Sequence, residues 1–384
     1  MSIEIKKDIY YVGAIDWHRR LFDELIPLPD GTTYNSYLIK DEKIVLIDTV
    51  DPTKENELVE NLEEIGIHRI DYIIANHAEQ DHSGSLPAII SRYKEAKILT
   101  NERCKEFLKD LLLIPDERFV TIKDKQEISI GHRKLKFFLT PWTHWPETMI
   151  TYDMEDKILF TCDLFGSHLA TSNIFSRDEK LYSAAKRYYA EIMMPFRNKI
   201  RDYISSIEKM DIEIIAPSHG PIYREPEFIL NAYREWISDN VKNEVVIAYV
   251  SMHGSVEKAV SHLINELIKR GIEIKPFNLT KTDIGELAIS LVDCATLIVA
   301  SPTVLGGLHP AAMHAVYLVS LLRPKARHLY LVASYGWGSN VMKQLENMGI
   351  KLTGSLIIKG YPKEKDLHAI REMAEEIERK HSEL

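Results

Sequence analysis

Four side chains that commonly bind metal ions follow one apolar segment of the sequence. His77, Glu79, Asp81 and His82 lie within six positions, directly after the strand predicted at 71–76. Open α/β sheets place their sites at the carboxyl ends of strands, and a loop there can bring these four side chains together. The spacing H-x-E-x-D-H therefore predicts a metal-binding loop.

Three further candidate ligands also stand at strand ends. His144 follows the strand predicted at 134–140, Asp163 ends the strand predicted at 157–163, and His219 lies in an SHG that follows another apolar segment. Each one alone has an ordinary alternative, either a hydrogen-bonded loop residue or a helix cap. Together with the four clustered residues they predict one site.

The types of these seven residues restrict which metal ions can bind. Imidazoles with three carboxylates and no thiolate suit iron, manganese or zinc. Seven ligands are too many for one tetrahedral zinc ion, so the set predicts two metals bridged by a carboxylate. Carboxylate oxygens stabilise both ferrous and ferric iron, so Glu79 favours redox chemistry. A pair of zinc ions that produces hydroxide for hydrolysis is the alternative.

The first part of the chain is predicted to be a partly antiparallel α/β region, because several strands follow one another without a helix. Its predicted strands are 9–15, 34–39, 43–48, 71–76, 134–140, 147–152, 157–163 and 212–217, and its predicted helices are 53–65, 84–93, 102–113, a long stretch near 178–209, and 226–241.

After Glu244 the strands and helices alternate strictly, which predicts a doubly wound parallel sheet of five strands. We place the domain boundary there, giving domains 1–242 and 243–384. The five strands are predicted at 244–251, 272–279, 296–301, 327–334 and 355–360.

The loop after the first of these strands, in YVSMHGSVEKAV, could bind a phosphate group at the following helix N-terminus. It has neither G-x-G-x-x-G nor G-K-[ST], which disfavours a dinucleotide and a nucleoside triphosphate. Hydroxyl groups without lysine suit a phosphate monoester, as in flavodoxins that bind FMN; a plain helix cap is the alternative. Glycine-rich loops after two later strands allow close approach of a planar ring. The predicted flavin-binding residues are Ser251, Met252, His253, Gly254, Ser255, Val256, Pro302, Thr303, Val304, Leu305, Gly306, Gly307, Ser334, Tyr335, Gly336, Trp337 and Gly338.

The metal motif resembles the metallo-β-lactamase superfamily, whose hydrolases carry H-x-H-x-D-H. Its glutamate, together with the three flavin loops, is similar to the flavodiiron proteins, or A-type flavoproteins. This resemblance implies an αββα sandwich followed by a flavodoxin-like sheet, two Fe ions and FMN. It assigns His77, Glu79 and His144 to one iron, Asp81, His82 and His219 to the other, and Asp163 to both.

The resemblance implies an enzyme that reduces dioxygen to water, nitric oxide to nitrous oxide, or both, with electrons passed through FMN. The donor would be a separate rubredoxin, a nicotinamide-dependent reductase, or a reduced deazaflavin coenzyme as in methanogen relatives, because the sequence has no C-x-x-C pair for a rubredoxin domain. A homodimer or dimer of dimers is expected. The alternative is a dinuclear zinc hydrolase fused to a flavodoxin-like module.

Several residues depart from the pattern of the flavodiiron family. His253 and Val256 stand where relatives often have an aromatic residue and a threonine, and Val304-Leu305 lacks an asparagine often found in that loop. Many relatives have F-H-G near the N-terminus, with the histidine reaching the iron pocket; this chain has Phe22-Asp23-Glu24, and His18 is a candidate replacement. Two residues are candidates for the pocket tyrosine of the family, with helix packing as the alternative: Tyr188 and Tyr189.

The composition indicates a globular protein with no nucleic-acid partner. Its 48 basic and 57 acidic residues give a net charge of −9, which disfavours binding to nucleic acid. The N-terminus has no signal-peptide pattern and no apolar run approaches membrane length, so a cytoplasmic protein without membrane segments is expected. The three cysteines form no C-x-x-C pair, which predicts neither disulfides nor a thiolate site.

Overall fold

The computed structural model describes residues 2–384, and its internal contacts divide the chain between Ile237 and Ser238. The first unit contains two β-sheets. One has seven strands in the order β1-β2-β7-β8-β9-β10-β11, and the other has five in the order β12-β13-β14-β15-β16. Two short hairpins, β3/β6 and β4/β5, lie beside them. The strands are β1 Ile3–Lys6, β2 Ile9–Tyr11, β3 Ala14–Asp16, β4 Leu21–Phe22, β5 Ile26–Pro27, β6 Thr32–Tyr34, β7 Tyr37–Lys40, β8 Ile44–Ile47, β9 Tyr72–Ile74, β10 Lys97–Asn101, β11 Phe119–Ile122, β12 Glu127–Ser129, β13 Lys134–Leu139, β14 Met149–Asp153, β15 Ile158–Cys162 and β16 Ile214–Pro217.

Alternation along the strands separates two hydrophobic clusters. In β8, Leu46 packs in a cluster with Leu58 and other helix residues, whereas Val45 and Ile47 pack in a cluster with Phe137 of β13. The cluster with Val45, Ile47 and Phe137 therefore lies between the two sheets. The cluster with Leu46 and Leu58 lies between the seven-stranded sheet and its helices. This explains why the inner strands are apolar on both faces.

The helices of the first unit follow the predicted order with one difference. The long helix expected near 178–209 is interrupted by a π-helical turn at Tyr189–Met193 and a 3₁₀ turn at Met194–Phe196. Pro195 has no backbone N–H, so a continuous α-helix is disfavoured there. The helices are α1 Glu55–Glu64, α2 Gln80–Ser83, α3 Leu86–Arg92, α4 Glu102–Leu112, α5 Glu179–Tyr188, α6 Arg197–Ile207 and α7 Pro226–Ile237, with further 3₁₀ turns at Pro52–Lys54 and Asp116–Arg118.

The strands of the first unit differ from the prediction in two ways. The strand expected at 9–15 is two strands, β2 and β3, separated at Gly13, where an added Cβ would collide with the backbone of Tyr34. The prediction also lacked six strands, which are β1, β4, β5, β10, β11 and β12. These strands are short, so their alternation is too brief to distinguish them from loops.

The second unit is a parallel sheet in the order β18-β17-β19-β21-β22, with β20 paired antiparallel to the end of β19. This order is the flavodoxin-like 2-1-3-4-5, and it confirms the predicted five-stranded parallel sheet. Strand β19 continues past the predicted end at 301. The elements are β17 Lys242–Tyr249, α8 Ser255–Ile268, β18 Glu273–Asn278, α9 Ile284–Leu291, β19 Cys294–Val304, β20 Gly307–Leu308, α10 Pro310–Leu322, β21 His328–Tyr335, α11 Val341–Asn347, β22 Gly354–Lys359 and α12 Glu364–His381.

Within residues 2–384, no helix combines the length and the apolar character that crossing a membrane requires.

Candidate metal centre

The seven predicted metal ligands come together in the first unit. Four of them follow β9 of the seven-stranded sheet, and the other three follow β13, β15 and β16 of the five-stranded sheet, so each stands past the carboxyl end of a strand. Asp81 and His82 lie in the short helix α2, and the other five lie in loops directly after strands. Their ligand atoms fall into groups within 4.8 Å of one another: His77, Glu79, His144 and Asp163 in one, and Asp81, His82 and His219 in another.

One half of the centre surrounds the Oδ2 atom of Asp163. That oxygen lies 3.4 Å from Nε2 of His77 and 3.4 Å from Nε2 of His144. The Oε2 atom of Glu79 lies 3.0 Å from both of these nitrogens. Two imidazoles and two carboxylates therefore face one small volume.

The other half surrounds the Oδ1 atom of Asp163. It lies 3.0 Å from Nε2 of His82 and 3.5 Å from Nε2 of His219. The Oδ2 atom of Asp81 lies 3.2 Å from the first nitrogen and 3.0 Å from the second. Asp163 thus presents one oxygen to each half, as a bridging carboxylate must.

Several of these atoms approach closely without making a hydrogen bond. Among residues 2–384, both nitrogens of His82, both oxygens of Asp81 and Oδ2 of Asp163 are buried without a hydrogen-bond partner. Buried polar groups are normally paired, and each exception requires an explanation. Lone pairs that converge at about 3 Å without hydrogen-bond geometry fit cation ligands, so the residues present suit a pair of metal ions.

The electrostatics of the centre also favour cations. Burial lowers the pKa of His82, but the charges of Asp81 and Asp163 outweigh it and raise the pKa to about 9. Burial likewise opposes the ionisation of Asp163, yet His82 and His144 hold the pKa of its carboxyl group well below the usual range. The carboxyl group of Asp163 is therefore ionised, and a bound cation would displace the proton from His82.

A thiol also lies close to the centre. Cys162 is buried with its Sγ within 4.8 Å of ligand atoms of His82 and Asp163. Burial raises the pKa of this thiol well above its usual value. Only a thiolate binds metal well, and the raised pKa disfavours the thiolate form of Cys162.

Groups outside the ligand set hold the ligands in place. Glu147, which sequence reasoning missed, accepts from Nδ1 of His77 at 2.6 Å, and the carbonyl oxygen of Thr33 lies 2.6 Å from Nδ1 of His219. These bonds direct each Nε2 toward the centre. The only sequence signal for Glu147 was its position three residues after His144.

Of the two tyrosines suggested by the sequence, Tyr188 contacts a candidate ligand and Tyr189 does not. The hydroxyl of Tyr188 donates to Oδ1 of Asp163 at 2.8 Å, whereas the hydroxyl of Tyr189 donates to the carbonyl of Trp236 and lies in a helix-packing contact. Asp48, the residue after β8, accepts from the backbone N–H of Asn76 at 2.8 Å. It therefore holds the loop that leads to the ligands.

Sequence reasoning also missed a buried histidine, His168. His168 lies with its ring 4.9 Å from the rings of both His219 and Tyr188. Its Nδ1 is 2.8 Å from Oγ1 of Thr32, while its Nε2 has no hydrogen-bond partner among the described residues. Burial, and then the nearby His219, lowers the pKa of His168 well below the usual value, so its imidazole is neutral.

The N-terminal segment without F-H-G nevertheless reaches the centre. Phe22 packs its ring 5.0 Å from the ring of His168, and the carboxyl group of Asp23 lies beside Glu79. Burial and the charges of Glu79 and Asp81 raise the pKa of Asp23 to about 6. His18, the candidate replacement for the missing histidine, is exposed.

Three aromatic residues that follow the same strands as the candidate ligands differ in their contacts. Trp145 packs edge-on with its ring 5.0 Å from that of His77. Trp142 stacks on Phe196 and is 43% exposed, and Phe165 is buried against Tyr233. Trp145 is therefore the aromatic residue of this set that contacts a ligand.

The second unit has a cavity of about 220 Å³ at the carboxyl ends of β17, β19 and β21. The first turn of α8 contributes to its wall, so backbone N–H groups of a helix N-terminus are available for an anion. Gly336 has no atom within 4 Å of an added Cβ, which leaves open space for a planar group. The lining residues are Met252, His253, Ser255, Val256, Pro302, Thr303, Ser334, Tyr335, Gly336 and Gly360.

Nine of the predicted flavin-binding residues line this cavity. Gly360, which follows β22, also lines it and was not predicted. Ser251 caps α8, accepting from the N–H of Glu257 at 3.1 Å. Leu305 and Trp337 are 93% and 83% exposed. The other predicted residues outside the lining are Gly254, Val304, Gly306, Gly307 and Gly338.

Comparison with known proteins gives matches along nearly the whole chain. Residues 32–220 match the family described as ODP family beta lactamase. A nitric oxide reductase from Moorella thermoacetica is 37% identical, covering 90% of this chain and 88% of that protein. The rubredoxin oxygen:oxidoreductase structure from Desulfovibrio gigas has a TM-score of 0.95 at 30% identity, covering 100% of this chain and 99% of that one. The flavodiiron protein of Giardia intestinalis has a TM-score of 0.92 at 26% identity, covering 99% and 97%. These matches confirm the predicted succession of a metallo-β-lactamase-like fold and a flavodoxin-like sheet.

Proposed function

Because this chain belongs to the flavodiiron protein family, we propose that it reduces dioxygen to water, nitric oxide to nitrous oxide, or both, using electrons passed through FMN from a separate donor. The observation that carries the proposal is the placement of Asp163, with one oxygen toward each group of ligands. Two redox-active ions held this way can both contact one diatomic molecule. The presence of Glu79 where hydrolases of this fold have a histidine favours iron over zinc.

Each cofactor has a proposed set of binding residues. His77, Glu79 and His144 would hold one iron, and Asp163 would be shared by both. The proposed ligands of the other iron are Asp81, His82 and His219. FMN would occupy the cavity at the carboxyl ends of β17, β19 and β21, with its phosphate at the N-terminus of α8. When bound, the iron pair supplies the electrons and the open coordination positions for reduction of the gas.

The protein groups around the centre would fix its geometry. Glu147 and the carbonyl of Thr33 keep His77 and His219 in the tautomer that presents Nε2. Burial and the charge of Asp163 raise the pKa of Tyr188, so its hydroxyl keeps its proton and donates to Asp163. This donor would offset part of the negative charge of the shared carboxylate.

We also propose a cytoplasmic enzyme that acts as a homodimer or a dimer of dimers. Rubredoxin and reduced deazaflavin are equally suitable donors, with a nicotinamide-dependent reductase as a third. The name of the Desulfovibrio gigas relative supports the first of these. Titration of the purified protein with each reduced donor, followed by flavin absorbance, would identify the partner.

An anaerobic experiment tests the proposed function. The purified protein is reduced, dioxygen and nitric oxide are added separately, and gas consumption is compared with reoxidation of the flavin. We expect two iron ions and one FMN per chain, with consumption of at least one gas in proportion to flavin reoxidation. A colourless protein that contains zinc and hydrolyses esters would contradict the proposal.

A further inference from the structure

The residues around His219 form a tight, buried turn after β16. We call residues 217–220 the His219 turn; all four are buried. Gly220 has a φ of 77°, and an added Cβ there would collide with Oγ of Ser167, so the turn requires glycine at this position. Buried backbone groups need hydrogen-bond partners, and those of this turn are largely supplied by a distant part of the chain.

Asn35 supplies partners on both sides of His219. Its side-chain NH₂ group donates to the carbonyl oxygens of Pro217 and Gly220, each at 2.8 Å. Its backbone N–H donates to the carbonyl oxygen of Ser218 at 2.8 Å. One residue therefore holds the backbone before and after the proposed ligand.

Two neighbours of Asn35 in the chain hold the same turn. The hydroxyl of Thr33 accepts from the N–H of Gly220 at 2.6 Å, and the hydroxyl of Tyr37 donates to the carbonyl oxygen of Pro217 at 2.6 Å. Thr33, Asn35 and Tyr37 are at most 4% exposed. These hydrogen bonds are therefore shielded from water, where such bonds are electrostatically stronger.

The side chain of Asn35 is directed to this turn at a cost. Its Oδ1 atom is buried without a hydrogen-bond partner among residues 2–384. A buried acceptor without a partner is unfavourable, and each such group requires an explanation. The position of the His219 turn, held by both bonds of the NH₂ group, provides that explanation.

We propose that Asn35 is a positioning residue that fixes His219 for metal binding, so that the ion held by Asp81, His82 and His219 depends on it. The inference rests on the proposed function, because it assumes a metal pair. Loss of a partner behind a metal-binding histidine typically weakens metal affinity about 10–100-fold. Asn35 acts through the backbone rather than on the imidazole, so we expect a loss at the lower end of this range.

Asn35→Leu tests the inference, because leucine has a similar shape, removes both side-chain donors and adds no charge near the ligands. Asn61→Leu is the matched control for loss of a buried amide. Asn61 is 3% exposed, and its NH₂ group donates to the carbonyl oxygens of Val12 and Gly13 at 2.9 Å each. If leucine prevents folding, Asn35→Ala and Asn61→Ala are compared in the same way, since alanine cannot clash.

The assay is anaerobic competition for ferrous iron between the folded protein and a coloured chelator. We expect Asn35→Leu to release one iron per chain at about tenfold less chelator than the wild type requires, and Asn61→Leu to retain both irons as the wild type does. Mössbauer spectra of the iron-loaded proteins should differ from the wild type for one of the two irons in Asn35→Leu and for neither in Asn61→Leu.

The outcomes separate this inference from the proposed function. Equal iron retention and equal spectra in Asn35→Leu and wild type would overturn the role of Asn35 alone. Equal release of iron by Asn35→Leu and Asn61→Leu would assign the loss to general destabilisation and would also overturn it. A wild-type protein that lacks an iron pair would overturn both proposals.

Discussion

Replacement of Glu147 by glutamine tests whether the centre depends on a residue that is not a ligand. The carboxylate is fully buried, accepts from Nδ1 of His77 at 2.6 Å, and also accepts from the N–H of Ala78 at 3.1 Å. Glutamine has the same shape and can keep one acceptor oxygen. Its NH₂ group would occupy the position of Oε2, which has no hydrogen-bond partner among the described residues.

The magnitude follows from these contacts. A buried donor without a partner costs about 1–3 kcal/mol, and the charge of the bond to His77 is lost as well. Loss of a partner behind a metal-binding histidine typically weakens metal affinity about 10–100-fold. We therefore expect the iron bound by His77, Glu79 and His144 to be held about 30-fold more weakly, or about 2 kcal/mol.

The assay is anaerobic competition for ferrous iron between the protein and a coloured chelator. The Glu147→Gln protein should fall to one iron per chain at chelator concentrations where the wild type keeps two. Glu95→Gln, at an exposed position, is the control for loss of a surface charge. Retention of both ions by Glu147→Gln within a factor of about two would refute the argument that this hydrogen bond orients the ligand.

Three further predictions concern other parts of the chain. Tyr188→Phe removes the donor to Asp163 and should lower the reduction potential of the iron pair by roughly 40 mV, or about 1 kcal/mol, at unchanged iron content; an unchanged potential in spectroelectrochemistry would contradict this. Gly336→Val should reduce FMN content because Gly336 lines the cavity, whereas Gly338→Val, outside the lining, should retain FMN; equal loss in both would place the flavin elsewhere. Burial raises the pKa of Asp153 to about 6. Between about pH 4 and pH 6 the folded protein therefore keeps a proton on this carboxyl group, whereas the unfolded chain releases it. The free energy of unfolding falls as the pH rises through this range. Asp153→Asn should remove up to about 3 kcal/mol of this pH dependence, measured by denaturant unfolding at several pH values. If the free energy of unfolding changes with pH equally in the wild type and in Asp153→Asn, burial of this carboxyl group has no such effect.

The sequence was sufficient to predict that the seven candidate ligands lie together, because each follows a strand. A strand of alternating or continuous apolar residues is visible in the sequence, and its end is where a site residue can stand. His77, His144 and His219 could therefore be placed at one edge before any contact was known. The five strands of the second unit were predictable for the same reason.

The supporting residues could not be predicted because their contacts are distant in sequence. Glu147 is 70 positions from His77, and Thr33 is 186 positions from His219. Nothing local distinguishes them from surface or core residues. The hairpin that carries Asp23 was hidden for another reason: strands β4 and β5 have two residues each, so no periodicity marks it.

The unequal exposure of the two halves has a consequence for how the holoprotein is assembled. The side chains of Asp81, His82 and His219 are at most 5% exposed, whereas those of Glu79 and His144 are 13% and 18% exposed. The outer position is the one beside Glu79 and His144, and the inner position is the one beside Asp81, His82 and His219. An ion bound first in the outer position would block the path to the inner position. We therefore expect an ion held by Asp81, His82 and His219 to exchange more slowly than an ion held by Glu79 and His144. Incorrect metals acquired during maturation would accumulate in the outer position, where they are also the easiest to replace.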